Sequence, residues 1–221
     1  TATSAAIADT HIISVQQLAM AHKIKTETFA TDTELLGEQN GGTRTLHIAQ
    51  ANGEEMAITL ADDETSLAQI AQAINEEGGD VTASVQNTDA GYQLVLTSKS
   101  TGESGQMNVW VEGDDSLDQV LNNTTGDMTD IVEGKDAKVT VDGSEYTRSS
   151  NTITDIIDGV TLTLTSVTPE GETEALTLTK DTSAVSTAMQ DFVTQYNALI
   201  TLTNDKSKYV PASAGEISSQ N

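Results

Sequence analysis

The chain has 221 residues, 34 acidic against 10 basic, and a formal net charge of −24. That balance excludes a general nucleic-acid binder, which draws on clustered Lys and Arg, and a polybasic attachment to anionic lipid. With no Cys there is no disulfide, thiolate ligand or Cys nucleophile, and with one Trp, four Tyr and two Phe the core has to be aliphatic.

The length allows one large domain or two small ones. No apolar run approaches the ~18 residues of a membrane helix, so no membrane insertion is expected. The start at Thr1, without Met or a signal-peptide pattern, reads as a fragment of something longer.

His11 to Val15 is the first clear strand, leading through Leu18 to Ala21 into polar sequence. Thr31 to Gly42, with Asp32, Gly37, Asn40, Gly41 and Gly42, reads as a linker or loop. Leu46 and Ile48, then Ile58 and Leu60, alternate on either side of Asn52-Gly53, which predicts a β-hairpin. Ser66 with Gln69 three residues on is a capping box. Leu67, Ile70, Ala71 and Ile74 then share one helical face, and Gly78-Gly79 stop the helix. Strands follow at Val81–Val85, Tyr92–Leu96 and Met107–Val111, then a short helix at Leu117–Leu121. Asn122 to Lys135 reads as a second polar link.

Ala137, Val139 and Val141 alternate before an Asp142-Gly143 turn, with Tyr146 on the returning strand. Thr152 to Ile157 suits a short helix ended by Gly159. Val160, Leu162 and Leu164 alternate with threonines, Pro169 and Gly171 mark a turn, and Leu176 and Leu178 return. Asp181 or Thr182 caps the longest helix, whose stripe is Val185, Met189, Phe192, Tyr196 and Leu199. Followed by the polar tail from Asn204 to Asn221, that helix reads as the start of a further helical region, or else as a helix packed on the β part. Residues 45–98 and 137–179 both read strand, strand, helix, strand, strand, from internal duplication or from the ease of assembling such a unit out of short elements.

Candidate chemistry is sparse. His11, His22 and His47 form no HExxH pair and read as partly exposed strand residues. Asp62-Asp63-Glu64 and Glu112-Gly113-Asp114-Asp115 could hold Ca²⁺, but the EF-hand order is missing and both precede helices, so solvated acidic turns are the better reading. No GxSxG elbow, Walker motif or GxGxxG occurs. A carboxylate-pair hydrolase would need a sugar platform, for which aromatics are few. No catalytic, cofactor-binding or metal-ligating residue is therefore expected, and no cofactor.

Several stretches together carry a resemblance. Ser149-Ser150-Asn151-Thr152-Ile153-Thr154-Asp155-Ile156-Ile157-Asp158-Gly159-Val160-Thr161-Leu162-Thr163-Leu164 resembles a signature of the bacterial flagellar filament cap family, also called hook-associated protein 2. Ile13 to Ala19 resembles the family's early strand, and Ser66 to Asn75 with Gly91 to Ser98 its inserted head module. Phe192 to Ile200 resembles the first helix of its C-terminal stalk. The resemblance implies an α+β, β-rich fold of two small antiparallel domains with short helices, one inserted in the other, before a helical stalk. The boundaries would be 1–40 with 135–180 for the outer domain, 41–134 for the insert, and 181–221 for the start of the stalk and the tail.

It also implies a function. A homo-oligomeric ring at the extracellular, distal tip of the flagellum promotes flagellin folding and polymerisation and prevents loss of monomers. Export runs through the flagellar channel without a cleaved signal peptide. The implied partners are the chain itself, flagellin and other hook-associated proteins. A surface-binding adhesin recognising host glycans is the alternative, motivated by the acidic, Thr-rich surface.

Overall fold

The computed structural model describes residues 1–208. The last part of the polar tail lies outside the described residues. Thr1–Leu178 is one compact unit and Thr179–Asn221 a second.

The first unit is antiparallel throughout its sheets, and the chain builds it as follows. Strand β1 (Thr10–Gln17) is followed by β2 (Ala21–Lys25), which the polar composition of that stretch concealed. Residues 31–42 are irregular, as expected. Strands β3 (Arg44–Gln50) and β4 (Glu55–Leu60) form the hairpin read from the alternation, with Leu46 opposite Ile58. Helix α1 (Leu67–Glu77) starts at Ser66, whose hydroxyl accepts the Gln69 N–H while the Gln69 side chain accepts the Ser66 N–H. Leu67, Ile70, Ala71 and Ile74 are all buried, as their spacing predicts.

Strands β5 (Val81–Thr88), β6 (Gly91–Thr101) and β7 (Met107–Glu112) follow, then α2 (Asp115–Leu121) and β8 (Thr129–Val132). Strand β8 falls within the expected polar link. Then come β9 (Ala137–Val141), β10 (Ser144–Arg148), β11 (Thr152–Ile153), β12 (Leu162–Thr163) and β13 (Glu174–Thr177).

Two hydrophobic cores result. The larger lies between a four-stranded sheet, in the order β5-β6-β2-β8, and a three-stranded sheet, β4-β3-β7. Ile24, Leu94 and Leu96 come from the first sheet, Leu46, Ile48 and Val109 from the second, and α1 and α2 add Ile70, Ile74, Leu117 and Leu121. The smaller core gathers Val15, Val139, Val141, Ile153, Val160 and Leu162 beside the sheet β10-β9-β1-β13. The chain enters and leaves the larger part side by side. Met20 N donates to Lys135 O at 2.8 Å and Lys135 N to Met20 O at 3.1 Å.

Residues 21–25 pair with β6 and β8, and Ile24 is wholly buried in the larger core. Three expectations are corrected. Thr152 to Ile157 is not a helix. Ile153 pairs with Leu162 instead, and Asn151 grips Ala19 by accepting its N–H at 2.7 Å and donating to its carbonyl at 2.8 Å. These tertiary bonds, with a stretch rich in β-branched residues, outweigh the weak local helical pattern. Strand β13 pairs with β1 and not with the 160–164 segment. Without that helix and that pairing, residues 137–179 do not repeat the architecture of 45–98.

The β9–β10 turn shows sequence and structure in agreement. Asp142 (φ 49°) and Gly143 (φ 82°) both take the left-handed conformation that a two-residue hairpin loop matching the strand twist requires. In the second unit, α3 (Ser183–Ser207) is the predicted long helix. Thr182 makes no side-chain cap bond; the Asp181 carboxylate accepts the Ser183 N–H at 2.8 Å, and the Ser183 side chain first, with that N–H second, holds its carboxyl below the usual range.

Candidate functional site

The two acidic clusters, expected as separate solvated turns, meet on one arginine. Arg44 opens β3 and its side chain is completely buried. Its Nη2 donates to Asp62 Oδ1 at 2.5 Å and to the Glu38 carbonyl at 2.8 Å. Its Nε lies 3.1 Å from Asp114 Oδ2 but off the N–H axis, a charge contact and not a hydrogen bond. Asp114, also fully buried, caps α2 by accepting the Leu117 N–H at 2.9 Å and accepts the Glu38 N–H at 2.8 Å. One node thus joins the 31–42 loop, β3 and the start of α2. Gly37 is required there, because a Cβ would stand 2.6 Å from Asp114 Oδ2 and 2.9 Å from Thr65. Such a node fixes a loop, with the Asp62 and Asp114 carboxylates both held against Arg44.

His11 and His47 are partly exposed strand residues, as expected, and His22 is not. His22 is wholly buried. Its Nδ1 accepts the Met107 N–H at 2.8 Å, so the ring proton sits on Nε2, 3.0 Å from Asp130 Oδ1. This side chain joins β2 and β8 to β7 of the other sheet. His11 lies 2.7 Å from Asp142, which also accepts the Ile12 N–H at 2.8 Å. The His11 contact first, and that N–H second, hold the Asp142 carboxyl below its ordinary value. His47 stacks on Trp110 with centroids 4.8 Å apart and rings nearly parallel, and its Nδ1 lies 3.1 Å from Glu55. Among the described residues no group of three or more metal-capable side chains converges. Asn75, which the sequence reading passed over, ties α1 to β5 by bonding both the N–H and the carbonyl of Ala83. Its place on the helix face flanking Ile74 was the available signal.

The surface suited to partners is α3. None of its residues is buried, and Met189 and Phe192 are 66% and 69% exposed. Val185, Tyr196 and Leu199 continue the stripe, with Val193 and Ile200 widening it. An exposed apolar stripe of this extent is the kind of patch that marks an interaction surface.

Comparison with known proteins matches both parts of the chain. The sequence profile described as Flagellar hook-associated protein 2 C-terminus covers residues 134–221, and Flagellin hook IN motif covers 45–100. Flagellar hook-associated protein 2 of Xenorhabdus nematophila is 36% identical over 94% of this chain and 49% of its own length. The corresponding Salmonella typhimurium protein is 36% identical over 86% of this chain and 41% of its own. The chain thus spans about half the length of the curated relatives it matches. Among solved structures, the D2-D3 domains of the flagellar cap protein FliD from Serratia marcescens superpose with a TM-score of 0.76 at 33% identity, covering 81% of this chain and 97% of that one. The D1-D2-D3 domains of FliD from Escherichia coli superpose with a TM-score of 0.81 at 32% identity, covering 95% of this chain and 59% of that one. These relatives are named for hook association and capping, which does not support the adhesin reading. With the quoted motifs, both profiles and both folds in agreement along nearly the whole chain, this protein belongs to the flagellar hook-associated protein 2 family.

Proposed function

We propose that this chain is the head of a flagellar filament cap. In that role identical subunits form a ring at the extracellular tip of the filament, promote flagellin folding and polymerisation, and keep monomers from escaping. The observation that carries the reading is the superposition with the D2-D3 domains of a flagellar cap protein across nearly all of that structure. Contact surfaces and steric shielding do the work, and no group is transferred. The partners are further copies of the chain and flagellin, and export proceeds through the flagellar channel without a cleaved signal peptide.

The same reading divides the head into two domains. The mutual hydrogen bonds of Met20 and Lys135 and the two separate cores support an insert of about residues 21–134. The outer domain is then 1–20 with 135–178, and α3 begins the stalk. An apolar stripe left in water forgoes ~1.5–3 kcal/mol per large side chain, so other stalk helices are the fitting cover for Phe192 and its neighbours.

The test is genetic. The full-length gene, introduced into a strain lacking its cap, restores filament growth, and deletion of residues 21–134 or substitution of Phe192 and Tyr196 by Asp weakens the rescue. A full-length gene that is expressed and exported yet leaves filaments absent would refute the proposal.

A further inference from the structure

The four-stranded sheet β5-β6-β2-β8 gives one face to the larger core through Ile24, Leu94 and Leu96. The alternate positions turn to the other face. There Lys23 stands opposite Thr97 and Lys25 opposite Val95, and from the other neighbouring strand Thr82 and Ser84 stand opposite the same two residues. Ser98 is drawn inward by Gln50 of β3, whose Nε2 donates to its hydroxyl at 2.9 Å, so Lys99 follows on the outer face. Three of the chain's ten basic residues thus share one sheet face, on which no paired residue is acidic. Lys99 Nζ donates to the Gly79 carbonyl at 2.6 Å. Among the described residues none of these three lysines forms an ion pair.

The acidic excess lies elsewhere, and part of it faces another way. Helix α1 packs on the core side of this sheet, where Asn75 bonds both backbone groups of Ala83 in β5 and Ile70 and Ile74 enter the core. On its exposed side Glu64, Gln69, Gln72 and Glu76 border a groove of about 270 Å³ that no basic residue lines. Glu64 and Glu76 are exposed and form no ion pair among the described residues. The lysine face and this groove are turned away from the same core on different sides, so one molecule cannot bring its own two surfaces together.

We propose that the lysine face is a subunit contact whose occupant is the α1 side of a second copy of the chain. The inference rests on the ring reading above. Charge argues for the copy. Chains of −24 repel through most of their surface, and a basic face against an acidic groove is the approach at which the sign reverses. Geometry argues the same way. Two different surfaces on different sides of one molecule join copies head to tail, the arrangement that closes into a ring where the rotation permits. A few such pairs are outweighed by the whole-chain repulsion, which salt screens, so added salt still strengthens association overall. Substitution is therefore what isolates the face.

Sedimentation of the full-length protein at physiological salt tests the proposal. Lys23→Glu with Lys25→Glu is expected to raise the dissociation constant of self-association at least about tenfold, and Lys23→Gln with Lys25→Gln to raise it less. Lys138→Glu with Lys180→Glu makes the same change in net charge away from this face, and is expected to have a smaller effect than the first pair. Glu64→Lys with Glu76→Lys is expected to weaken association too, although it reduces the net charge. An equimolar mixture of the two charge-reversed proteins has complementary surfaces at every contact between unlike copies, and is expected to associate as the parent does. That recovery also shows that neither variant is misfolded. A parent that stays monomeric would overturn the proposal. So would a lysine reversal no weaker than its charge-matched control, a glutamate reversal that tightens association, or a mixture that associates no better than its components. Failure of the genetic rescue would sink the capping role and leave each of these outcomes unchanged.

Discussion

Replacing Arg44 by Met tests whether the buried ionic node holds the larger core together. Met retains most of the apolar stem, so little cavity is made and the loss is mainly of charge and donors. Arg44 and Asp114 have no side-chain exposure, whereas Asp62 is 24% exposed and can be rehydrated. The cost therefore falls on Asp114, left as a buried carboxylate with only the Leu117 and Glu38 N–H groups. Removing one partner of such a pair costs about 3–5 kcal/mol. In a unit of this size each kcal/mol shifts Tm by roughly 2–4 °C, so Arg44→Met is expected to melt about 6–20 °C lower. Circular dichroism follows the melt, and Trp110 fluorescence reports the neighbouring β7. Adding Asp114→Asn to Arg44→Met removes the stranded charge while keeping a capping oxygen. The double variant is expected to recover part of the loss, with a coupling of about 1–3 kcal/mol. A single variant within about 1 kcal/mol of the parent, or a double variant that melts lower still, would show that water or a rearranged loop already neutralises Asp114 and that the node is not structural.

Ile70→Ala, at a wholly buried position of α1, is expected to cost about 2–5 kcal/mol by denaturant unfolding, while Gln72→Ala on the exposed face costs little; equal losses would put the helix in the wrong phase. The Asp142 carboxyl is held below its ordinary value of 3.8, chiefly by His11, so its contribution is complete above that value and disappears as pH falls through the lower folded value. Asp142→Asn, which keeps a residue tolerant of φ 49°, should therefore lower Tm near neutral pH and match the parent in strong acid, and a gap persisting there would assign the effect to backbone geometry. Added salt shortens the Debye length to ~8–10 Å and should strengthen self-association of a chain carrying −24, as read by light scattering; association that weakens with salt would instead reveal complementary ion pairs between subunits.

The amino-acid sequence by itself determined every element whose signal is local. The Ser66–Gln69 capping box with the i, i+3, i+4, i+7 pattern located α1, and the Asp142-Gly143 dipeptide located a turn that needs two left-handed residues. Alternation located β3 to β7, and the motif string ending at Leu164 pointed to the family before any geometry was known. What tertiary structure decided was long-range. Strand β2 has no apolar alternation of its own to announce it, and it forms because β6 and β8 stand on either side to satisfy its backbone. The 152–157 segment has isoleucines at helical spacing, yet pairing with Leu162 and the grip of Asn151 on Ala19, 132 residues away, pull it into extended form. Asp62 and Asp114 looked like surface charges because acidic residues before helices usually are; only the fold brings Arg44 between them and removes the water from Asp114. Local pattern sets how each segment prefers to bend, whereas backbone partners and buried charges far apart in sequence are settled when the segments meet, and that is where the reading from sequence stopped.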